Sequence, residues 1–330
     1  MFQHILAPYD GSLSAESTIP HIASLVRVGE SVITLLHVID PSTAARSFRE
    51  DPFAWQIEKI EKKRYLGEIS EKIGVKANIA VIEGNAAETI VKFSKRVGAD
   101  LIVFSSYSQG GMDHWRHSSV VQKAVFQTSA SVMVIPAFDS LISHPKIKTY
   151  QKIMVPLDGS QRAETILPYA FALARECNCE LVLVHVVTKP AILNTYTKST
   201  FENELRETLL QKNLEAARTY LDMVKSWGDI KIDTKVMVGE NVNLVLHEYS
   251  AHYDFDLVLM TAHGYNGDIK YPFGSVAQSF ISYSEIPMLI YQDIPAERGS
   301  NQEKTKHIRM RRGSIPDQSL EKMTEGSFSI

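Results

Sequence analysis

A run of small residues, Ala262-His263-Gly264-Tyr265-Asn266-Gly267, followed by Phe273-Gly274-Ser275-Val276, has the composition of a loop that receives phosphate. Glycine lets the backbone approach a ligand closely, and successive amides at a helix start can receive phosphate oxygens, with the Ser275 hydroxyl as a further donor. No Gly-Lys-Ser or Gly-Lys-Thr ends the run, so the lysine-bearing phosphate loop is excluded. A helix entry that needs glycine only for packing would read the same way. Asp158, in Pro156-Leu157-Asp158-Gly159-Ser160, is a second candidate. A carboxylate there accepts hydrogen bonds from an adenine amino group or a ribose hydroxyl, or else caps its own turn through backbone amides. Asp10, in Pro8-Tyr9-Asp10-Gly11-Ser12, offers the same two readings. His37 and His185 stand inside apolar runs, where a hydrogen-bonded structural histidine is expected rather than a catalyst.

Enzyme signatures were sought beside these. Neither Gly-x-Ser-x-Gly nor His-Glu-x-x-His occurs. His114, His117 and His263 fall in candidate loops, but the sequence ties no carboxylate or nucleophile to them. Asp113 and Asp268 are placed to meet magnesium, although single loop aspartates usually face solvent. Slow phosphate hydrolysis stays open, because positioned amides and a metal supply some catalysis without a marked set of side chains. The two cysteines, Cys177 and Cys179, are poorly placed to bridge each other and read as free thiols, a usage that fits the cytoplasm.

The elements that must position these residues are legible as a repeat. Ile5 to Ser12 corresponds to Ile153 to Ser160, and Leu35-Leu36-His37-Val38 to Leu183-Val184-His185-Val186, both 148 positions apart. Gly84 pairs with Gly239 at 155, and Asp100-Leu101-Ile102-Val103 with Asp256-Leu257-Val258-Leu259 at 156. Ser118-Ser119-Val120 pairs with Gly274-Ser275-Val276, also at 156. Repeats of this length are whole domains. Each copy reads as five apolar strands separated by helical stretches, which requires crossovers and favours a parallel sheet with helices on both faces. In the first copy helices are expected over 14–28, 52–73, 86–97 and 118–127, and in the second over 163–175, 201–227, 242–250 and 274–282. The domains span residues 1–138 and 149–293, with a link over 139–149 and a flexible polar tail over 294–330. Ligands of such sheets sit beyond the carboxyl ends of the strands.

The chain has 330 residues, 44% hydrophobic and 22% charged, with a formal charge of -3. That balance describes a soluble protein and argues against a general nucleic-acid binder. No apolar stretch reaches the roughly 18 residues of a membrane span, and the N-terminus reads as a first strand rather than a secretion signal.

In the hydrophobic-Pro-x-Asp-Gly-Ser openings, the His-Val strand ends, the turns at Gly84 and Gly239, and the glycine loop before Gly-Ser-Val, the chain resembles the universal stress protein family in its tandem form. The resemblance implies two Rossmann-like (adenine nucleotide alpha hydrolase-like) domains, each a five-stranded parallel sheet, arranged like a dimer through their final strands. It also implies an adenine nucleotide (ATP, ADP or AMP), with Mg2+ as a companion ion. Gly264 and Gly267 match the first glycine pair of the family's phosphate pattern, and Gly274-Ser275, followed by Val276, matches its end. Six residues separate Gly267 from Gly274 where the family has nine, a spacing compatible with adenosine or a short phosphate chain. Pro156 and Asp158 match the strand-end segment with its acidic position, and Val186 and Gly239 match walls near the nucleoside. Asp10, Val38 and Gly84 are the first-copy counterparts, while Ser108 and Ser118 break the glycine pattern there and mark a degenerate or differently specialised site. The function so implied is a cytoplasmic stress-response regulator that binds nucleotide mainly in its second domain. The alternatives are a nucleotide-free interaction scaffold or a weak magnesium-dependent ATP hydrolase. Partners expected are the other half of the same chain, a second copy in a homodimer, and a protein reached through the tail.

Overall fold

Short leucine-rich and β-branched runs, bounded by glycine, serine or aspartate, form the strands; a strand covered on both faces needs no polar alternation. The computed structural model describes residues 2–41, 52–107, 119–137, 147–189, 200–265 and 271–293. The first half contains β1 (His4–Pro8), α1 (Leu13–Glu16), α2 (Ile19–Val28), β2 (Val32–Ile39), α3 (Pro52–Ile73) and β3 (Asn78–Glu83). It continues with α4 (Ala86–Val97), β4 (Leu101–Tyr107), α5 (Ser119–Gln127) and β5 (Ser131–Ala137). The second half contains β6 (Lys152–Pro156), α6 (Gln161–Glu164), α7 (Leu167–Cys177), β7 (Glu180–Thr188), α8 (Thr200–Lys225) and β8 (Ile232–Gly239). It ends with α9 (Val242–His252), β9 (Leu257–Thr261), α10 (Ser275–Tyr283) and β10 (Met288–Tyr291).

The strands run β3-β2-β1-β4-β5-β10-β9-β6-β7-β8 in a single sheet. Each half is parallel, with the order 3-2-1-4-5 in its own count. The expectation of a separate five-stranded sheet in each domain is therefore corrected. Antiparallel pairing of Met288 with Val134, Leu289 with Met133 and Ile290 with Val132 fuses the halves into one ten-stranded mixed sheet. The last strand of each half would otherwise expose a row of unpaired amides and carbonyls.

The single helices expected over 14–28 and 163–175 are each split in two. Pro20 and Pro168 enter α2 and α7 at the first turn, where the missing amide costs nothing, but neither can continue a ladder from the turn before. The hydroxyl of Thr18 turns back onto the Ala15 carbonyl at 2.8 Å, and that of Thr165 onto the Arg162 carbonyl at 2.6 Å, closing the short first helices.

One core layer packs α2, α3, α7 and α8 on one face of the sheet through residues such as Ile22, Leu66, Leu173 and Leu221. The other packs α4, α5, α9 and α10 through Ile90, Ala124, Leu246 and Phe280. Among the described residues no helix is long and apolar enough to cross a membrane. The tail over 294–330 and most of the link lie outside the described residues.

The repeated aspartates before β4 and β9 have a structural role that spacing alone did not disclose. Asp100 accepts the amides of Gln3 and His4 at 2.7 and 2.9 Å. Asp256 accepts those of Gln151 and Lys152 at 2.8 and 3.1 Å, and the Lys148 ammonium at 2.9 Å. Each clasps the start of its half's central strand to the neighbouring strand. Burial opposes the charge of Asp256, but the Gln151 amide, Lys148 and the Lys152 amide prevail and hold its carboxyl below the usual range. A depressed folded pKa means that the unfolded chain protonates first. The stabilisation is present above the unfolded value, about 3.9 for aspartate, and is lost as pH falls through the folded one. Asp256→Asn should therefore cost about 2 kcal/mol at neutral pH, with the gap to wild type closing as pH falls below about 4 in urea denaturation series. A gap independent of pH would show that the charge is not what the clasp uses.

Candidate functional site

The second half's candidate residues gather where β6 and β9 end. Gly159 adopts φ 83°, a conformation that side chains resist, and so turns the chain sharply after Asp158. Asp158 Oδ1 then accepts the Ser160 amide at 2.9 Å and its hydroxyl at 2.6 Å, while Ser160 caps α6 by accepting the Ala163 amide at 3.1 Å. Asp158 Oδ2 accepts the Tyr265 amide at 2.6 Å, reaching across to the loop that leaves β9. Turn capping is thus what this carboxylate does in the structure. With roughly four lone-pair sites on a carboxylate and three in use, one remains for a ligand. Gly264 is required by this contact: a Cβ built there would lie 2.1 Å from Asp158 Oδ2.

Between these segments lies a cavity of about 140 Å³, lined by Pro156, Asp158, Val184, Val186, Met260 and Gly264, with Val242 and Leu246 from α9 and Val276 from α10 closing it. It therefore brings together Pro156, Asp158, Val186, Gly264 and Val276 from the sequence-derived set. Gly274 and Ser275 stand at the entrance to α10: the Gly274 amide donates to the Ala262 carbonyl at 2.7 Å, and Gly274 caps the helix without a side chain. By contrast α6 and α9 are capped by the side chains of Ser160 and Asn241. The first amides of α10 are thus left without a side-chain cap, and Ser275 is exposed beside them. Gly239 does not line the cavity; a Cβ there would meet Val245 Cγ2 at 2.3 Å, so the glycine lets β8 approach α9. Gly267 lies outside the described residues, as do Ser108, Asp113, His114, His117, Ser118 and Asp268.

One residue pair escaped the sequence reading. His263, to which no carboxylate had been tied, is buried with Nδ1 2.9 Å from Asp293 Oδ1 and Nε2 2.7 Å from the Tyr271 carbonyl. Its own carbonyl accepts the Thr261 hydroxyl at 2.8 Å. Gln292 Nε2 adds a bond to the Pro272 carbonyl at 3.1 Å. The glycine loop is therefore stapled at both ends to the exit of β10. The signal was present in strand register: Tyr291 lies beside Thr261, and two residues further along each strand are Asp293 and His263.

The histidines within strands behave as expected. Nδ1 of His37 donates to the Tyr9 carbonyl at 2.7 Å and that of His185 to the Leu157 carbonyl at 2.8 Å. In the first half Asp10 Oδ1 accepts the Ser12 amide at 2.8 Å.

The model of the universal stress protein family matches residues 1–136 and 149–292. The chain belongs to this family. A universal stress protein of Mycobacterium tuberculosis is 22% identical over 300 residues, covering 87% of this chain and 97% of that one. One from Methanocaldococcus jannaschii is 28% identical over 141 residues, 43% of this chain and 81% of its own length. The crystal structure of a universal stress protein from Archaeoglobus fulgidus superposes with a TM-score of 0.63 at 17% identity, over 88% of this chain and 98% of that one. Two family domains in one chain account for the repeat and for the shared strand order of the halves.

The Asp158–Gly264 contact can be tested by a double-mutant cycle. Gly264→Ala should destabilise the chain by about 1–3 kcal/mol, because the methyl group displaces the carboxylate from the Tyr265 amide. The penalty should shrink in an Asp158→Ala background, where the obstructing oxygen is gone. Equal penalties in the two backgrounds, measured by chemical denaturation, would place the strain elsewhere.

Proposed function

We propose that the chain is a regulatory universal stress protein that binds an adenine nucleotide in its second half. The observation that carries this reading is the cavity at the ends of β6 and β9, where five of the nine sequence-derived residues share one lining. An apolar cavity of about 150 Å³ accommodates a single benzene ring. A space of about 140 Å³ walled by Val184, Val186, Met260 and Val276 therefore suits a base rather than a whole nucleotide. The ribose would lie toward Asp158, whose remaining acceptor site can take a hydroxyl. The phosphates would extend over Gly264 to the uncapped amides of α10, where the helix dipole favours negative charge. Among the described residues no group of three or more acidic, histidine or cysteine side chains is placed to hold a metal. Mg2+ in this reading arrives with the phosphates and completes its shell with water.

Binding at this place joins the turn before α6, the β9 loop and the entrance of α10, which meet through the Asp158–Tyr265 and Gly274–Ala262 hydrogen bonds. Occupancy would therefore shift the conformational population of these elements, which is the action of a sensor rather than of a metabolic enzyme. We place that action in the cytoplasm.

Gly274→Asp tests the phosphate cradle directly. A Cβ at this position would sit 3.4 Å from the Ala262 carbonyl and 3.7 Å from His263 Cα, so the fold should tolerate it with a slight adjustment. The added carboxylate should weaken ATP, ADP and AMP by about tenfold or more in calorimetric titration, with adenosine nearly unaffected. Unchanged ATP and ADP affinities would remove α10 from the site. Failure of wild type to bind any adenine compound would favour the interaction-scaffold reading.

A further inference from the structure

We propose that the second half carries another small-molecule site on the opposite face of the sheet, a crevice between β7 and α8 that takes an uncharged hydrogen-bonding ring compound of nucleobase or nucleoside size. The crevice has a volume of about 420 Å³ and is walled by Gly159, His185, Thr188, Asn213, Ala217 and Tyr220. Small-molecule sites run from roughly 300 to 1,000 Å³. It does not depend on the nucleotide cavity. The two share Val186 of β7 as a common border, but side chains alternate along the strand, so Val184 belongs to the cavity beside α9 alone while His185 belongs to the crevice beside α8 alone.

Its polar groups define the ligand. His185 Nδ1 donates to the Leu157 carbonyl at 2.8 Å, which leaves Nε2 as the atom able to accept from a ligand. The Tyr220 hydroxyl is buried, and the Glu164 carboxylate beside it acts on it both as a charge and as a hydrogen-bond partner, so a ligand acceptor would compete with Glu164 for its proton. Burial, and then Glu164, keep this phenol protonated well above neutral pH, so it is a donor. The Asn213 amide and Thr188 hydroxyl can do either. None of the lining residues carries a charge, and Glu164 repels anions, so a phosphorylated ligand is disfavoured.

Comparison of the halves shows what is particular to this crevice. His185, Tyr220 and Glu164 correspond to His37, Tyr65 and Glu16, and the Tyr65 hydroxyl is likewise buried beside its glutamate. What differs is room. Aligned on the tyrosines, Asn213 and Ala217 stand where α3 carries Glu58 and Lys62. Lys62 Nζ reaches within 3.8 Å of where a Cβ on Gly11 would be, whereas a Cβ on Gly159 would meet nothing within 4 Å. Glu58 buries a carboxylate oxygen, and Lys62, Asp10 and Glu58 all act on the charge of His37. His37 is buried; His185 is half-buried. The first half fills this place with its own charged side chains, and the second half opens it.

The test uses the full-length chain labelled with 15N-histidine, with adenosine, cytidine and uridine as probes up to about 1 mM. At least one should shift the His185 ring resonances saturably, and AMP should do so more weakly than adenosine. Tyr220→Phe, which keeps the ring and removes the donor, should weaken the response severalfold. Asn213→Glu with Ala217→Lys, which copies the first half, should weaken it by about tenfold or more. No His185 response to any of the three nucleosides would overturn the proposal. So would a response that survives both variants unchanged, or one in which AMP equals adenosine.

Discussion

The antiparallel pairing of β5 with β10 is the contact on which the molecule is built. A five-stranded parallel sheet of order 3-2-1-4-5 ends on an apolar strand whose outer amides and carbonyls have no partner, and such an edge invites association. Here each half supplies the partner for the other. Val132, Met133, Val134, Met288, Leu289 and Ile290 are all at most 2% exposed, so the seam is as dry as either core. Around it, Phe2 stacks on Tyr169 with ring centres 5.0 Å apart, and Tyr169 meets Tyr291 at 4.6 Å. Phe126 of the first half meets Phe273 of the second edge-on at 6.0 Å. Contacts of this kind add to burial through ring geometry, and they lie on both faces of the seam.

The same pairing determines how the sites are disposed. Strands within a half are parallel, and the halves run antiparallel to each other, so the carboxyl ends of the two strand sets point to opposite edges of the sheet. The first half contributes no residue to the cavity at the ends of β6 and β9. Every residue lining that cavity falls between Pro156 and Val276, within the second half. The seam therefore acts as scaffold, while each set of strand ends is free to hold a different ligand or none. The staple from His263 to Asp293 links the two roles. It ties the start of the glycine loop to residues just beyond β10, the strand that forms the seam, so that end is anchored on a buried part of the fold.

Strand positions and the alternation of elements were legible because apolar runs and turn residues are local signals. The repeat offsets supplied the equivalence of the halves. The turn at Asp158-Gly159 and the close approach at Gly264 were legible for the same reason, since glycines mark such places. What the sequence obscured was long-range. Asp293 is thirty residues from His263, and only strand register joins them. Asp100 and Asp256 aligned perfectly as repeat anchors, yet their bonds to the starts of β1 and β6 cross about a hundred residues. The breaks at Thr18 and Ile166 were missed because apolar periodicity runs through them, and the prolines that interrupt the ladder sit just beyond. Gly239 illustrates the opposite case: its turn-like context was plain, but the structure gives it a packing reason in Val245.

The two copies together separate what the backbone demands from what a ligand demands. Gly11 and Gly159 both take positive φ, and His37 and His185 both bond a carbonyl at the end of the central strand. Asp100 and Asp256 both clasp strand starts, and Leu66 and Leu221 are both fully buried beneath the sheet. Each of these residues serves main-chain geometry or core packing, and each is alike in the two halves. The sequence differences include Glu58 and Lys62 against Asn213 and Ala217, and Ser108 and Ser118 against Gly264 and Gly274. A substitution in the first group leaves a buried polar group unpaired or a cavity unfilled, which costs kilocalories wherever it occurs. A substitution in the second group acts on what the cleft can hold, and at Gly264 also on the contact with Asp158. The two halves therefore share main-chain geometry while differing in these side chains; in the second half Gly264 lines one cavity, and Asn213 and Ala217 of α8 line the other.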